Sequence, residues 1–163
     1  MSAFASRAVR LLAELVELDH HARNRKLPLT HAQRERRRAI CRELSQWALS
    51  QQKGPPGAPN RQFPRASLRL KVQLIDGTRA VESESRSLSV GGLSVSAPIA
   101  PEVGQTMVLR LSPVAPDPPV MVTGVVVWYD SDRQMLGLRF SDLSDEARAL
   151  LERLVFTNLL DSG

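Results

Sequence analysis

The sequence is poorly equipped for covalent chemistry. It has one cysteine and three histidines among 163 residues. The lone Cys41 excludes an internal disulfide framework and suits a reducing compartment. His20, His21 and His31 all fall in the N-terminal third. No His, Cys, Asp or Glu spacing resembles a metal site, and neither a phosphate-binding Walker loop nor a Gly-x-Ser-x-Gly elbow occurs. A nucleophile at Cys41 would also need a positioned base. The chain therefore reads as a non-enzyme, with no catalytic residue, no metal ligand and no cofactor to name. Long hydrophobic runs are missing too. Leu11 to Leu18 is interrupted by Glu14 and Glu17, and no small-residue cleavage site follows. Neither a membrane span nor a signal peptide is expected, and a cytoplasmic location is.

What is present is unevenly distributed. Residues 1–53 hold eleven basic and five acidic side chains, whereas residues 54–163 hold eleven and twelve. The basic character thus belongs to the first third, which argues for two functional parts. Residues 1–53 read as a helical hairpin. Ser6 is a candidate cap ahead of Val9, Leu12, Leu15 and Val16 at helical spacing. Pro28 forbids a smooth continuation. Thr30 and Gln33 form a capping box for a second helix whose apolar stripe is Ile40, Leu44, Trp47 and Ala48. Gly54-Pro55-Pro56-Gly57-Ala58-Pro59 is a linker by composition, because its prolines and glycines suit neither helix nor sheet.

The pattern then changes to β. Segments near 67–75, 79–88, 92–97, 106–112, 120–129 and 134–140 alternate or run continuously β-branched. Asp76-Gly77 is a hairpin signal between the first two. Six short strands suggest a small closed or nearly closed antiparallel barrel. Ser144 can cap a final helix carrying Ala147, Leu150, Leu151, Leu154 and Val155 on one stripe, expected to pack on the barrel or on another chain. The fold expected is mainly β. It consists of a six-stranded antiparallel barrel with a C-terminal helix (60–163), a linker (54–59) and an N-terminal helical hairpin (1–53).

Two short motifs flank the first strands. Arg61 and Arg65 stand four apart in Arg61-Gln62-Phe63-Pro64-Arg65. Downstream comes Ser87-Leu88-Ser89-Val90-Gly91-Gly92. With this order, spacing and β context, residues 60–155 resemble the PilZ domain family. That family carries Arg-x-x-x-Arg ahead of the first strand and Asp/Asn-x-Ser-x-x-Gly after the second. Val125-Val126-Val127-Trp128 and Leu136-Gly137-Leu138-Arg139-Phe140 look like its closing strands. The resemblance implies a bacterial receptor for the second messenger cyclic di-GMP, with Arg61, Arg65, Ser87, Ser89 and Gly92 as ligand-binding residues.

The chemistry of those residues fits such a ligand. An arginine fork meets phosphate oxygens bidentately and also matches the O6/N7 edge of guanine. Ser89 can hydrogen-bond a base edge, and Gly92 permits a left-handed turn or close backbone approach. Ser87 departs from the family's Asp or Asn. Its single oxygen replaces two contact atoms, an expected loss of about 1–2 kcal/mol, or roughly tenfold in affinity.

Two other readings compete. The barrel could be a protein-interaction module that has lost nucleotide binding, with Ser87 as the mark of that loss. Alternatively, Arg34, Arg36, Arg37 and Arg38 could bind nucleic acid, although they lack aromatic interleaving and a solvated helix face explains them more simply. A protein partner or homo-oligomer through the helices is also expected, since a two-helix hairpin buries little core alone.

Overall fold

The computed structural model describes residues 3–25, 27–52, 62–114 and 117–162. The expected linker 54–59, Asn60 and Arg61 lie outside the described residues. The chain divides into two compact units, Met1–Pro64 with Glu152–Gly163, and Arg65–Leu151.

The first unit is helical. Helix α1 spans Ala3–Arg25 and α2 spans His31–Gln51. Ser6 lies inside α1 and does not cap it, because the alanine-rich start, with its high helix propensity, carries the helix back to Ala3. Thr30 caps α2 as its sequence requires. Its hydroxyl accepts from the Gln33 amide at 3.2 Å, and its own amide donates to the Gln33 side chain at 2.9 Å. The core comprises Ala8, Leu11 and Leu15 of α1 with Ile40, Cys41 and Leu44 of α2. A third helix completes it. The C-terminal helix, which spans Asp145–Ser162 and is numbered α3 in chain order, contributes Phe156, 1% exposed. The expectation that α3 packs on the barrel or on another chain thus needs amending, because its distal half belongs to the helical unit. A two-helix hairpin has too little interior, and a buried Phe adds roughly 1.5–3 kcal/mol of apolar burial.

Polar side chains also tie the three helices together. Arg37 of α2 donates to Asp19 of α1 at 2.8 and 3.1 Å and to Glu152 of α3 at 2.9 Å. Arg153 donates to the same Asp19 at 2.7 Å. Asp19 and Glu152 are both buried. Burial works to lower the Arg37 pKa, but the hydrogen bonds it donates to Asp19 and the charge and hydrogen bond of Glu152 outweigh it and raise the value. Cys41 sits beside this network, and burial pushes its thiol pKa up, making it an inert core residue.

The second unit is the barrel. Its strands are β1 (Lys71–Asp76), β2 (Arg79–Leu88), β3 (Gly92–Ser96), β4 (Thr106–Ser112), β5 (Val120–Asp130) and β6 (Met135–Asp142). They close in the order β1-β2-β3-β6-β5-β4, with every pairing antiparallel. Period-2 alternation fills the interior with Val72 and Leu74, Leu93 and Val95, Met107, Leu109 and Leu111, and Leu136 and Leu138. Gly77, at φ +59°, turns β1 into β2, as the Asp-Gly signal requires. Ser144 accepts the Ala147 amide at the start of α3.

One strand differs from expectation. The alternation from Ser67 predicts β1 from residue 67, yet the paired strand starts at Lys71. Ala66 pairs with Leu88 as an isolated bridge, and the next pair is Lys71 with Glu84. Residues 67–70 must therefore match only 85–87, so regular pairing fails between them. Buried Ser85 covers the mismatch. Its hydroxyl accepts from the Leu70 amide at 2.8 Å and donates to the Leu68 carbonyl.

Candidate functional site

The Ala66–Leu88 bridge joins the two motifs. Its backbone bonds, Ala66 N–H to Leu88 O at 2.8 Å and the reverse at 2.9 Å, fasten the approach segment to the end of β2. The antiparallel register then places Arg65 across from Ser89. Ala66 is buried like Leu88, so alternation turns exposed Arg65 to the outer side. Arg61, the other arginine of the motif, lies outside the described residues.

Ser89 builds the turn itself. Its hydroxyl accepts the amides of Gly91 at 3.1 Å and Gly92 at 3.2 Å, and its own amide donates to the Gly92 carbonyl at 2.9 Å. It is 8% exposed. This hydroxyl is thus committed to holding the β2–β3 connection, a serine-type turn. Gly92 serves close approach and not a left-handed turn, since only Gly77 and Gly104 have positive φ among the described glycines. A Cβ at Gly92 would sit 2.2 Å from the Leu138 carbonyl oxygen, so only glycine lets β3 lie against β6 here.

Ser87 owes its direction to a bulge. Along β2, Val81, Ser83 and Ser85 are less exposed than Ala80, Glu82 and Glu84. Simple alternation would turn Ser87 inward with them. Instead the register shifts between Ser85 and Ser87, and Ser87 pairs with Ser94. Arg86 is the extra residue, so both Arg86 and Ser87 face outward. The hydroxyls of Ser87 and Ser94 hydrogen-bond at 2.7 Å.

From Ser87 a row of paired residues crosses four strands. Ser87 pairs with Ser94, Ser94 with Gly137, and Gly137 with Trp128. Trp128 is 43% exposed, and its indole lies on Gly137, where a Cβ would meet Nε1 at 2.1 Å. Arg139, two residues along β6 on the same side, is exposed opposite Gly92. The outer surface of β2-β3-β6-β5 therefore combines a flat aromatic ring, small residues, paired hydroxyls and arginines. Such a surface suits a planar base carrying an anionic backbone.

Trp128, Gly137, Ser94, Arg86 and Arg139 were not among the expected site residues. Trp128 and Gly137 are nine residues apart and meet only through the β5–β6 register, itself shifted between Val126 and Trp128. A lone exposed tryptophan in a β segment was the one signal available. Asp130 accepts the amides of Asp132 and Arg133, an ordinary polar turn.

Other regions contribute less. A cavity of about 330 Å³ opens at the opposite end of the barrel, beside Asp76, Arg79, Pro98 and Pro101. It touches none of the expected ligand residues. The arginine cluster of α2 is engaged internally. Arg34 donates to the Leu29 carbonyl, Arg36 pairs with Glu14, Arg37 with Asp19 and Glu152, and Arg38 with Glu35. Among the described residues, no group of three or more His, Cys, Asp or Glu gathers to hold a metal ion, and no helix is long and apolar enough to cross a membrane.

Comparison with known proteins agrees with the fold. The PilZ domain family matches residues 59–157. Among solved structures, the Bacillus subtilis inhibitor of motility MotI/DgrA is 18% identical with a TM-score of 0.55, over 67% of this chain and 57% of that one. The PilZ domain of YcgR from Escherichia coli, solved with c-di-GMP, is 15% identical with a TM-score of 0.51, over 64% of this chain and 95% of that one. The MrkH–c-di-GMP complex from K. pneumonia is 14% identical with a TM-score of 0.50, over 64% and 55%. These likenesses show the fold. This chain thus spans little more than half of the motility inhibitor and of MrkH. No curated protein sequence matches the chain.

Proposed function

The chain belongs to the PilZ domain family, and on that premise we propose that it is a receptor for cyclic di-GMP that converts binding into a conformational or interaction change. One observation carries this reading. The Ala66–Leu88 bridge holds Arg65 across from the Ser89–Gly92 turn, at the edge of the outward row Ser87–Ser94–Gly137–Trp128. The ligand has two phosphodiester charges and two guanines. Arg61 and Arg65 take the phosphates or a guanine edge, and Trp128 offers a stacking face. Ser89 and Gly92 act by shaping the turn, and Ser87 with Ser94 forms the polar floor. The ligand is a signal and not a cofactor, and we assign the protein no catalysis. The single, buried cysteine supports a cytoplasmic setting.

Residues 60–163 form the receptor domain in this reading, and 1–53 its output extension, joined by 54–59. Ligand binding by Arg61 and Arg65 is passed on to the helical extension through the chain that joins them. Helix α3, with Asp145–Leu151 in the barrel unit and its remainder in the helical unit, is a second covalent route. Titration calorimetry with cyclic di-GMP tests the site. Arg61→Ala and Arg65→Ala should each weaken binding at least about tenfold. Equal heats from wild type and both variants would remove the site assignment. Absence of binding by wild type would favour the interaction module that has lost its nucleotide.

A partner surface is supported by a separate observation. On α1, Val9 and Val16 are 48% and 43% exposed, and Leu12 and Ala13 complete a stripe at helical spacing. We assign this stripe to self-association. Sedimentation of wild type against Val9→Glu/Val16→Glu checks it, and an unchanged mass would remove the assignment. The internal pairing of Arg34, Arg36, Arg37 and Arg38 speaks against nucleic acid as the partner.

A further inference from the structure

Ser87 stands where the family pattern carries Asp or Asn, and its hydroxyl is tied to Ser94 at 2.7 Å. Whichever serine donates, one hydroxyl proton is consumed and a single one remains between the pair. That is little with which to tell one base from another. The residue before it is differently placed. Arg86 is the extra residue of the bulge, faces outward beside Ser87, and reaches onto β3 to donate Nε to Ser96 Oγ at 3.1 Å. This hydrogen bond fixes the plane of the guanidinium over β3. The Trp128 indole lies over the next strand, on Gly137, which pairs with Ser94. The Arg86 guanidinium over β3 and the Trp128 indole over β6 thus lie above neighbouring strands of one face.

We infer that Arg86 is the base-reading residue of this site and takes over the discrimination that Ser87 cannot supply. This rests on the receptor reading above. With Nε held by Ser96, the guanidinium approaches the base through its Nη groups. Guanine offers two acceptors, O6 and N7, to such a pair of donors. Adenine offers N7 beside an amino donor, which opposes an arginine N–H. The site thus selects guanine through its O6/N7 edge. A bulge that would otherwise be an irregularity of β2 becomes the device that presents arginine and serine side by side. Lysine would keep the charge but not the paired donors.

The test is calorimetric titration of the full chain with cyclic di-GMP and, separately, cyclic di-AMP. Wild type should bind the guanine ligand at least about tenfold more tightly. Arg86→Ala should lose most of that preference and about tenfold in cyclic di-GMP affinity. Arg86→Lys should recover affinity in part but not the preference, and Ser87→Ala should change affinity less than about threefold. Arg86 is exposed, so melting temperatures near wild type will show that the variants fold. If Arg86→Ala weakens both ligands equally, the residue supplies charge only and the inference is overturned. It is equally overturned if Arg86→Ala binds like wild type. If wild type binds neither ligand, the receptor reading itself fails, which is a distinguishable result.

Discussion

The helical unit and the barrel use arginine in opposite ways. Residues 1–53 carry a surplus of six positive charges, yet Arg7, Arg36, Arg37 and Arg38 are all paired with carboxylates. The balanced remainder, 54–163, turns Arg65, Arg86 and Arg139 outward around one face. Net charge thus points to a different part of the molecule from the proposed site. Arrangement matters as much as count, because a guanidinium paired with a carboxylate is neutralised by it, whatever the net charge of its region.

The largest expected effect breaks the helical side of this contrast. Arg37→Met removes the hub between Asp19 and Glu152 and leaves two buried carboxylates short of a partner, a cost of about 3–5 kcal/mol. The helical unit should melt early in a calorimetric scan, while cyclic di-GMP still binds the barrel. Loss of binding together with the early transition would show that the two units are not separable.

On the barrel side, Gly92→Ala forces a Cβ against the Leu138 carbonyl. Separation of β3 from β6 should cost about 1–3 kcal/mol, read as a lower melting temperature of the barrel. A smaller stability effect with a sharper functional one is expected at Gly137→Ala. The added methyl displaces the Trp128 indole, so nucleotide affinity should fall about tenfold while the melting temperature changes little. An unchanged affinity would remove Trp128 from the binding face.

The smallest effect is electrostatic and belongs to the helices. The hydrogen bonds from Arg36 and Arg7 hold the Glu14 and Glu43 carboxyls below their ordinary value. A lowered folded-state pKa means stability that is present above the unfolded pKa and lost as pH falls through the folded one. The helical transition should therefore weaken below about pH 4.5, and only slightly, since both pairs are exposed. A transition that strengthens on acidification would contradict the pairing.

How legible this was in the sequence follows the range of each signal. The six strands, the Asp76-Gly77 turn and the Thr30 capping box are local patterns, and each is visible in a few adjacent residues. The Ser87–Gly92 motif was visible for the same reason, but its internal roles were not. Ser89 closes its own turn, and Gly92 answers to Leu138, which lies far along the chain. Arg86 and Trp128 acquire their positions from two register shifts, and a register depends on the partner strand. Phe156 joining α1 and α2 is likewise a tertiary event, unreadable from the stripe of α3 alone.

The central claim, that cyclic di-GMP lies on the outer face of β2-β3-β6-β5, can be tested through Trp128. The only other tryptophan is Trp47 of α2, so Trp47→Phe leaves Trp128 as the sole indole reporter. Its emission, followed during titration with cyclic di-GMP, should change saturably with the midpoint found by calorimetry. Calorimetric binding with constant Trp128 emission would place the ligand elsewhere and contradict the account.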